Sequence, residues 1–239
     1  MDREVTVKVA AVMTAPRYGN NYARNQIERA LHSVNVPLTV SGGVYYGQCM
    51  QLMLDEIVKH GGVDYAITVD FDSLFTAKDV RRLIRWMIER PDIHAITGLQ
   101  VRRGKPSLLG TVDHGNLVNE GEREILWDGL PIRATTAHFG LTVINLEKLA
   151  GVEKPWFVST PDANGDWSEQ KTDDDVHFWL QWGKAGNSVY LDPGVRLGHL
   201  EEMVAIHDEN MNPIHIYPRE WEELNDCRNN TPVEALPSR

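Results

Sequence analysis

Apolar and polar positions change period repeatedly along the chain. Val5 to Met13 alternates and then runs apolar, the pattern of a buried first strand, and it gives way to the loop Thr14-Ala15-Pro16-Arg17-Tyr18-Gly19. Asn21 stands where it can cap a helix whose apolar residues Ile27, Ala30, Leu31 and Val34 recur on one face. Pro37 to Val40 predicts a short strand closed by Gly42-Gly43. A second helix follows from about Gln48 to His60, with Leu52, Met53, Ile57 and Val58 inward and Gly61-Gly62 as its stop. Tyr65 to Val69 reads as a strand buried on both faces, and it ends abruptly in Asp70-Phe71-Asp72. Thr76 and Asp79 have capping-box spacing for a helix through Val80, Leu83, Ile84 and Met87 to Arg90, which Pro91 ends; Ile93 to Val101 supplies the next strand.

Strand and helix thus alternate through the first hundred residues. That order predicts an α/β fold: a mostly parallel, Rossmann-like sheet with helices on both faces and a ligand site at the carboxyl ends of its strands. The acidic triplet at 70–72 falls at such an end. Beyond Val101 the pattern shifts to short strands and turns, with Asp113-His114-Gly115-Asn116 as a hairpin turn and Leu141 to Asn145 as a strand, so a small antiparallel extension is expected. Ser159 to Lys171 is a polar loop, and a helix from Asp173 to Lys184 leads into a strand pair at Val189 to Leu191 and Val195 to His199. Residues 201–239 are polar and proline-containing, and are expected to wrap the surface as a tail. The organisation expected is one catalytic domain over 1–200, with a nucleotide-binding half at 1–101 and an acceptor and metal half at 102–200.

Composition narrows the function classes. The net charge of −10 and the scattered Lys and Arg, densest at Arg81, Arg82 and Arg85, argue against a nucleic-acid backbone as the main partner. Cys49 and Cys227 have no framework spacing, so free thiols and a reducing compartment, by default the cytoplasm, are expected. No stretch approaches the roughly 20 apolar residues that span a bilayer.

Three segments carry candidate chemistry. Asp70 and Asp72 place two carboxylates at the end of a core strand, where they call for a cation or for hydrogen-bond donors; oxygen ligands suit Mg²⁺ or Mn²⁺. They serve equally well as the start of a loop. Thr172-Asp173-Asp174-Asp175 has capping-box spacing from Thr172 to Asp175, yet three consecutive acids exceed what a cap needs. His199 closes the apolar stretch Gly194-Val195-Arg196-Leu197-Gly198, a position that a structural histidine also fills.

In this order the segments resemble the GT-A glycosyltransferases of the family 2 type. Val63 to Asp72 looks like that family's strand and DxD motif. His138-Phe139-Gly140-Leu141 resembles its glycine-containing strand, and Asp174-Asp175-Val176-His177-Phe178-Trp179-Leu180, then Gly186, Tyr190-Leu191-Asp192-Pro193 and His199, resembles its ED-helix and closing histidine. The resemblance implies a GT-A fold and hexosyl transfer from a UDP- or GDP-sugar to an acceptor hydroxyl. It further implies a divalent Mn²⁺ or Mg²⁺ on Asp72 and His199, with Asp70 on the ribose or a metal-bound water. Thr14, Ala15, Pro16 and Arg17, with Phe71 and Gly140, would line the nucleotide, and Asp175 would be the general base. Asp174 stands where the pair usually has Glu, which leaves the choice between the two acids open. Gln48 stands near the place of an arginine common in the family.

Two other readings compete. A sugar-phosphate nucleotidyltransferase also pairs acids around Mg²⁺, but it needs a glycine-rich basic loop after the first strand, and Thr14 to Gly19 offers one glycine and one arginine. A Walker loop fails because Gln48 replaces the required lysine. A catalytically inactive nucleotide-sugar binding module would keep the fold without turnover. The sequence leaves the acceptor, the donor sugar and the oligomeric state open.

Overall fold

The structure is a computed structural model that describes residues 7–16, 20–101, 111–112, 129–168, 170–207, 210–217 and 220. Its elements in order are β1 (Val9–Ala15), α1 (Asn21–His32), β2 (Leu38–Gly42), α2 (Tyr46–His60), β3 (Tyr65–Asp70), β4 (Ser73–Leu74), α3 (Ala77–Glu89) and β5 (Ala95–Leu99). There follow β6 (Thr111–Val112), β7 (Ile132–Thr136), β8 (Leu141–Asn145), α4 (Leu146–Ala150), α5 (Asp174–Lys184), β9 (Val189–Arg196), β10 (Gly198–His199), β11 (Val204–His207) and β12 (Pro213–Ile216). The expected turn at 113–116 and Cys227 lie outside the described residues. No described helix is long and apolar enough to cross a membrane.

Eight strands form one sheet in the order β2-β1-β3-β8-β5-β9-β7-β6. β1 pairs in parallel with β2 and β3, and β5 with β9, whereas β8 runs antiparallel to both β3 and β5. The fold is therefore α/β with a mostly parallel sheet; the expected antiparallel extension is the edge formed by β7 and β6 beyond β9, and β8 adds an antiparallel strand at the centre. The residues of β8 explain this: Leu141 and Val143 enter the core on one face and Ile144 the core on the other, the two-sided burial of an inner strand. Apolar side chains of α1 and α3 pack on one face of the sheet, and those of α2, α4 and α5 on the other.

Local signals account for most helix ends. Asn20, one residue before the expected cap, accepts from the N–H groups of Tyr22 and Ala23 at 2.8 and 3.3 Å and starts α1. Asp79 accepts from the N–H and the hydroxyl of Thr76 at 2.8 and 2.7 Å at the start of α3. In α2 the inward positions are Met50, Met53 and Leu54; Leu52, expected inside, is 65% exposed. The start of α5 differs from expectation too. Its N-cap is Asp173, because Thr172 is drawn into a two-residue bridge with Thr160 through paired backbone bonds of 2.9 Å.

The expected break between 191 and 195 is a bulge within one strand, β9, which ends at Arg196 and leaves Gly198 and His199 to β10. Gly98 pairs with Asp192 and the next residue, Leu99, with Arg196, so Pro193-Gly194-Val195 bow out of the ladder. The strand survives a Pro-Gly step because buried Asp192 collects Arg82, Trp86 and the Gly194 N–H at the bulge. Two compact units emerge, Met1–Leu200 and Glu201–Arg239. In the second, the expected plain tail contains an antiparallel hairpin of β11 and β12, in which Val204 faces Ile216 and Ile206 faces Ile214.

Candidate functional site

Strand parity decides which side chains meet. In β3, Ala66, Thr68 and Asp70 point to the α2 and α5 face, while Ile67 and Val69 enter the opposite core. Thr68, Thr142 and Thr97 lie in register across β3, β8 and β5. They knit this central strip: Thr142 donates its hydroxyl to the His138 carbonyl at 2.6 Å, and Thr97 donates to that of Leu141 at 2.9 Å. A cleft of about 680 Å³ opens at the carboxyl ends of β1 and β3 and the amino end of antiparallel β8. Behind it stands a block of aromatic rings, with Phe139 stacked on Trp179 at 5.3 Å and Phe157 on Phe178 at 5.0 Å. Such pairs add about 0.5–1.5 kcal/mol each beyond their buried area. Trp156 is fully buried, whereas Trp167 is exposed.

The cleft brings together Thr14, Ala15 and Pro16 from the end of β1, Asp70, Phe71 and Asp72 from the end of β3, Asp174 and Asp175 from α5, and His199 from β10. Arg17 lies outside the described residues. Gly140 does not line the cleft. It packs against Gln100 and Ser73, whose Oγ would stand 2.7 Å from a Cβ at that position, so this glycine serves a close approach of chains beneath the site.

His199 and Asp72 meet directly, with Nε2 3.3 Å from Oδ2. The short pairing of β10 with β4, in which His199 faces Ser73, brings them there, and the Leu200 N–H fastens to the Asp72 carbonyl at 2.9 Å. The other ring nitrogen of His199, Nδ1, faces the Val101 carbonyl at 2.8 Å and therefore carries a proton that it donates. In the neutral ring this leaves the Nε2 lone pair turned toward a carboxylate oxygen. A carbonyl on the far nitrogen is the usual way a metal-binding histidine is oriented. Among the described residues no three His, Cys, Asp or Glu side chains converge as a metal site. An imidazole nitrogen beside a carboxylate is nonetheless a donor set that would suit a divalent ion such as Mn²⁺.

Electrostatics distinguish the other acids. Asp70 is pushed up to about 7, first by burial and then by the charge of Asp72, against a hydrogen bond from the Tyr46 hydroxyl. Asp174 and Asp175 are both raised, chiefly by burial; Asp175 keeps a hydrogen bond from the Val176 N–H at 2.7 Å and Asp174 one from the Asp175 N–H at 3.0 Å. Asp174 lies against Gly47 in the first turn of α2, whose N-cap residue Tyr45 provides no side-chain bond. Lys171 pairs with Asp173 at 3.1 Å.

Sequence reasoning passed over three residues here. His138, at the cleft wall, accepts the Gly140 N–H on Nδ1 at 3.0 Å and places Nε2 2.8 Å from the Gly98 carbonyl, which fixes a neutral ring with the proton on Nε2. Burial lowers it to about 4. Tyr46 and Gly47 open α2 and reach the acids on either side. No motif marks them, since what they do depends on where α2 begins.

No family model and no curated protein sequence matches the chain. Among solved structures its fold is similar to that of A197 from STIV, with a TM-score of 0.59 and 12% sequence identity over 88% of this chain and 94% of that one. GalNAc-T7, solved with UDP, GalNAc and Mn²⁺, aligns with a TM-score of 0.49 and 12% identity over 81% of this chain. Mannosyl-3-phosphoglycerate synthase from Rubrobacter xylanophilus aligns with a TM-score of 0.36 and 14% identity over 61% of it. The chain covers 43% and 56% of those two proteins. Its structural neighbours thus include glycosyltransferases at low sequence identity.

Proposed function

We propose that the chain is a metal-dependent glycosyltransferase of the GT-A type that moves a sugar from a nucleoside-diphosphate sugar to an acceptor hydroxyl. The observation that carries this reading is the pair Asp72 and His199. They are far apart in sequence, yet their acceptor atoms face each other at 3.3 Å with the histidine oriented by the Val101 carbonyl.

In this reading Asp72 and His199 hold Mn²⁺ or Mg²⁺, and Asp70 stands beside them toward the ribose or a metal-bound water. The ion supplies Lewis-acid stabilisation to the diphosphate as the sugar departs. Thr14, Ala15, Pro16 and Phe71 line the nucleotide, with Arg17 following in the chain. Asp175 accepts the proton of the acceptor hydroxyl. Of the two neighbouring acids it is the better base: Asp174 is committed to the start of α2, whereas the charge of Asp175 is felt by Asp70 across the cleft. A carboxylate raised by burial is matched to proton transfer near neutral pH.

Thermal unfolding with nucleoside diphosphates, nucleotide-sugars and nucleoside triphosphates, each with and without Mn²⁺, tests the reading, because a ligand stabilises with the logarithm of its saturation. The expected result is a shift that needs one nucleoside diphosphate and the metal together. A shift with triphosphates alone would favour nucleotidyl transfer, and binding without any donor turnover would make the chain a binding module.

A further inference from the structure

The first turn of α2 touches both banks of the cleft through two consecutive residues. Tyr46 brings its hydroxyl close to Asp70 at the end of β3, and Gly47 packs against Asp174 at the start of α5. The Tyr46 ring is fixed by edge contacts with Phe139 and Phe157, at centroid distances of 6.5 and 6.4 Å. Burial and the charges of Asp70, Asp175 and Asp174 raise its phenol well above the usual range, so it remains a proton donor. At Gly47 a side chain has no room: a Cβ would stand 2.5 Å from Asp174 Oδ2 and 2.7 Å from the Phe157 Cβ. Tyr46 lines the cleft together with Asp70, Asp72 and Asp175, and Gly47 is buried against Asp174.

We propose that Tyr46 and Gly47 are positioning residues that act as a two-sided clamp, fixing Asp70 on one bank and the start of α5 on the other, and so setting the gap across which the sugar is transferred. The proposal rests on the glycosyltransferase reading of the cleft. It needs the two contacts to matter separately, because each anchors a different half of the chemistry. Loss of the Tyr46 hydroxyl frees the Asp70 carboxylate while the ring still packs. A methyl group at position 47 leaves Asp70 alone and pushes Asp174, and with it Asp175, away from β3. Displacements of about 1 Å in reacting groups cost on the order of a hundredfold in rate.

The test compares Tyr46→Phe and Gly47→Ala with the wild-type chain. It measures Mn²⁺-dependent affinity for UDP and GDP, and hydrolysis of UDP-glucose and GDP-mannose, in which water takes the acceptor's place. Tyr46→Phe is expected to weaken Mn²⁺-dependent nucleotide affinity by about tenfold or more, as loss of a partner behind a metal site does, with the fold intact by circular dichroism. Gly47→Ala is expected to lower kcat by roughly a hundredfold with donor KM close to wild type. Wild-type affinity and turnover in Tyr46→Phe overturn the clamp even if Gly47→Ala fails to fold, and so does one shared kinetic pattern in both variants. A wild-type chain with no Mn²⁺-dependent nucleotide binding overturns the reading of the site and the clamp with it, which separates the two failures.

Discussion

Arg82 grips the fully buried Asp192 with two nitrogens, Nε to Oδ2 at 2.6 Å and Nη2 to Oδ1 at 3.0 Å. Trp86 Nε1 and the Gly194 N–H add bonds of 2.9 Å each, so every contact comes either from α3 or from the bulge that Asp192 itself begins. Removing one partner of a pair buried on both sides costs about 3–5 kcal/mol, and Arg82, whose side chain is 26% exposed, recovers part of that from water. Asp192→Ala is therefore expected to lower stability by about 2–3 kcal/mol in urea unfolding. Because the bulge leads directly to His199, the same variant should also lose its Mn²⁺-dependent thermal shift. A change below about 1 kcal/mol would show that the bulge holds without this knot.

Asp72→Ala and His199→Ala should each abolish the thermal shift that depends on Mn²⁺ and nucleotide together, while the metal-free chain unfolds cooperatively as before. An undiminished shift in either variant would remove that residue from the metal site.

Asp175→Asn should bind donor and Mn²⁺ as the wild type does and turn over at least about a hundredfold more slowly, the usual worth of a positioned base. Turnover within a few-fold of wild type would put the base elsewhere.

His138 gives a pH signature separate from that of the acids. Its folded value, near 4, lies below the ordinary histidine value of 6.5, so between these limits the unfolded chain binds a proton that the folded chain does not. Its contribution to stability is full above about 6.5 and is lost as the pH falls toward 4. About 2.5 units correspond to roughly 3 kcal/mol. Asp70, Asp174 and Asp175 are raised and run the opposite way, losing stability as the pH rises. The clean measurement is thus the difference in unfolding free energy between wild type and His138→Gln across this window. A pH-independent difference would mean that His138 titrates normally.

The sequence made the strands and helices of the first hundred residues legible because each rests on local signals: one-face periodicity, Gly and Pro stops, the Thr76 and Asp79 cap. It also pointed to Thr14, Asp70, Asp72, Asp175 and His199, which the fold brings to one cleft. What it withheld depends on contacts between segments distant in the chain. The two-sided burial of Leu141, Val143 and Ile144 makes sense only once helices cover both faces of the sheet. Asp192-Pro193-Gly194 reads as a break until Arg82 arrives from α3. Tyr46 and Gly47 look like an ordinary helix start until α5 and β3 close on either side of it.

The placement of β8 also orders events during synthesis. β3 and β5 flank a gap one strand wide, and the only segment that fills it, Leu141–Asn145, leaves the ribosome some forty residues after β5 is complete. Until then both facing edges present unpaired backbone groups, the kind of surface on which nascent chains pair wrongly with one another. A fragment ending near Val101 should therefore aggregate instead of surviving as an independent nucleotide-binding half, since β5 gains its two neighbours only when β8 and then β9 are made.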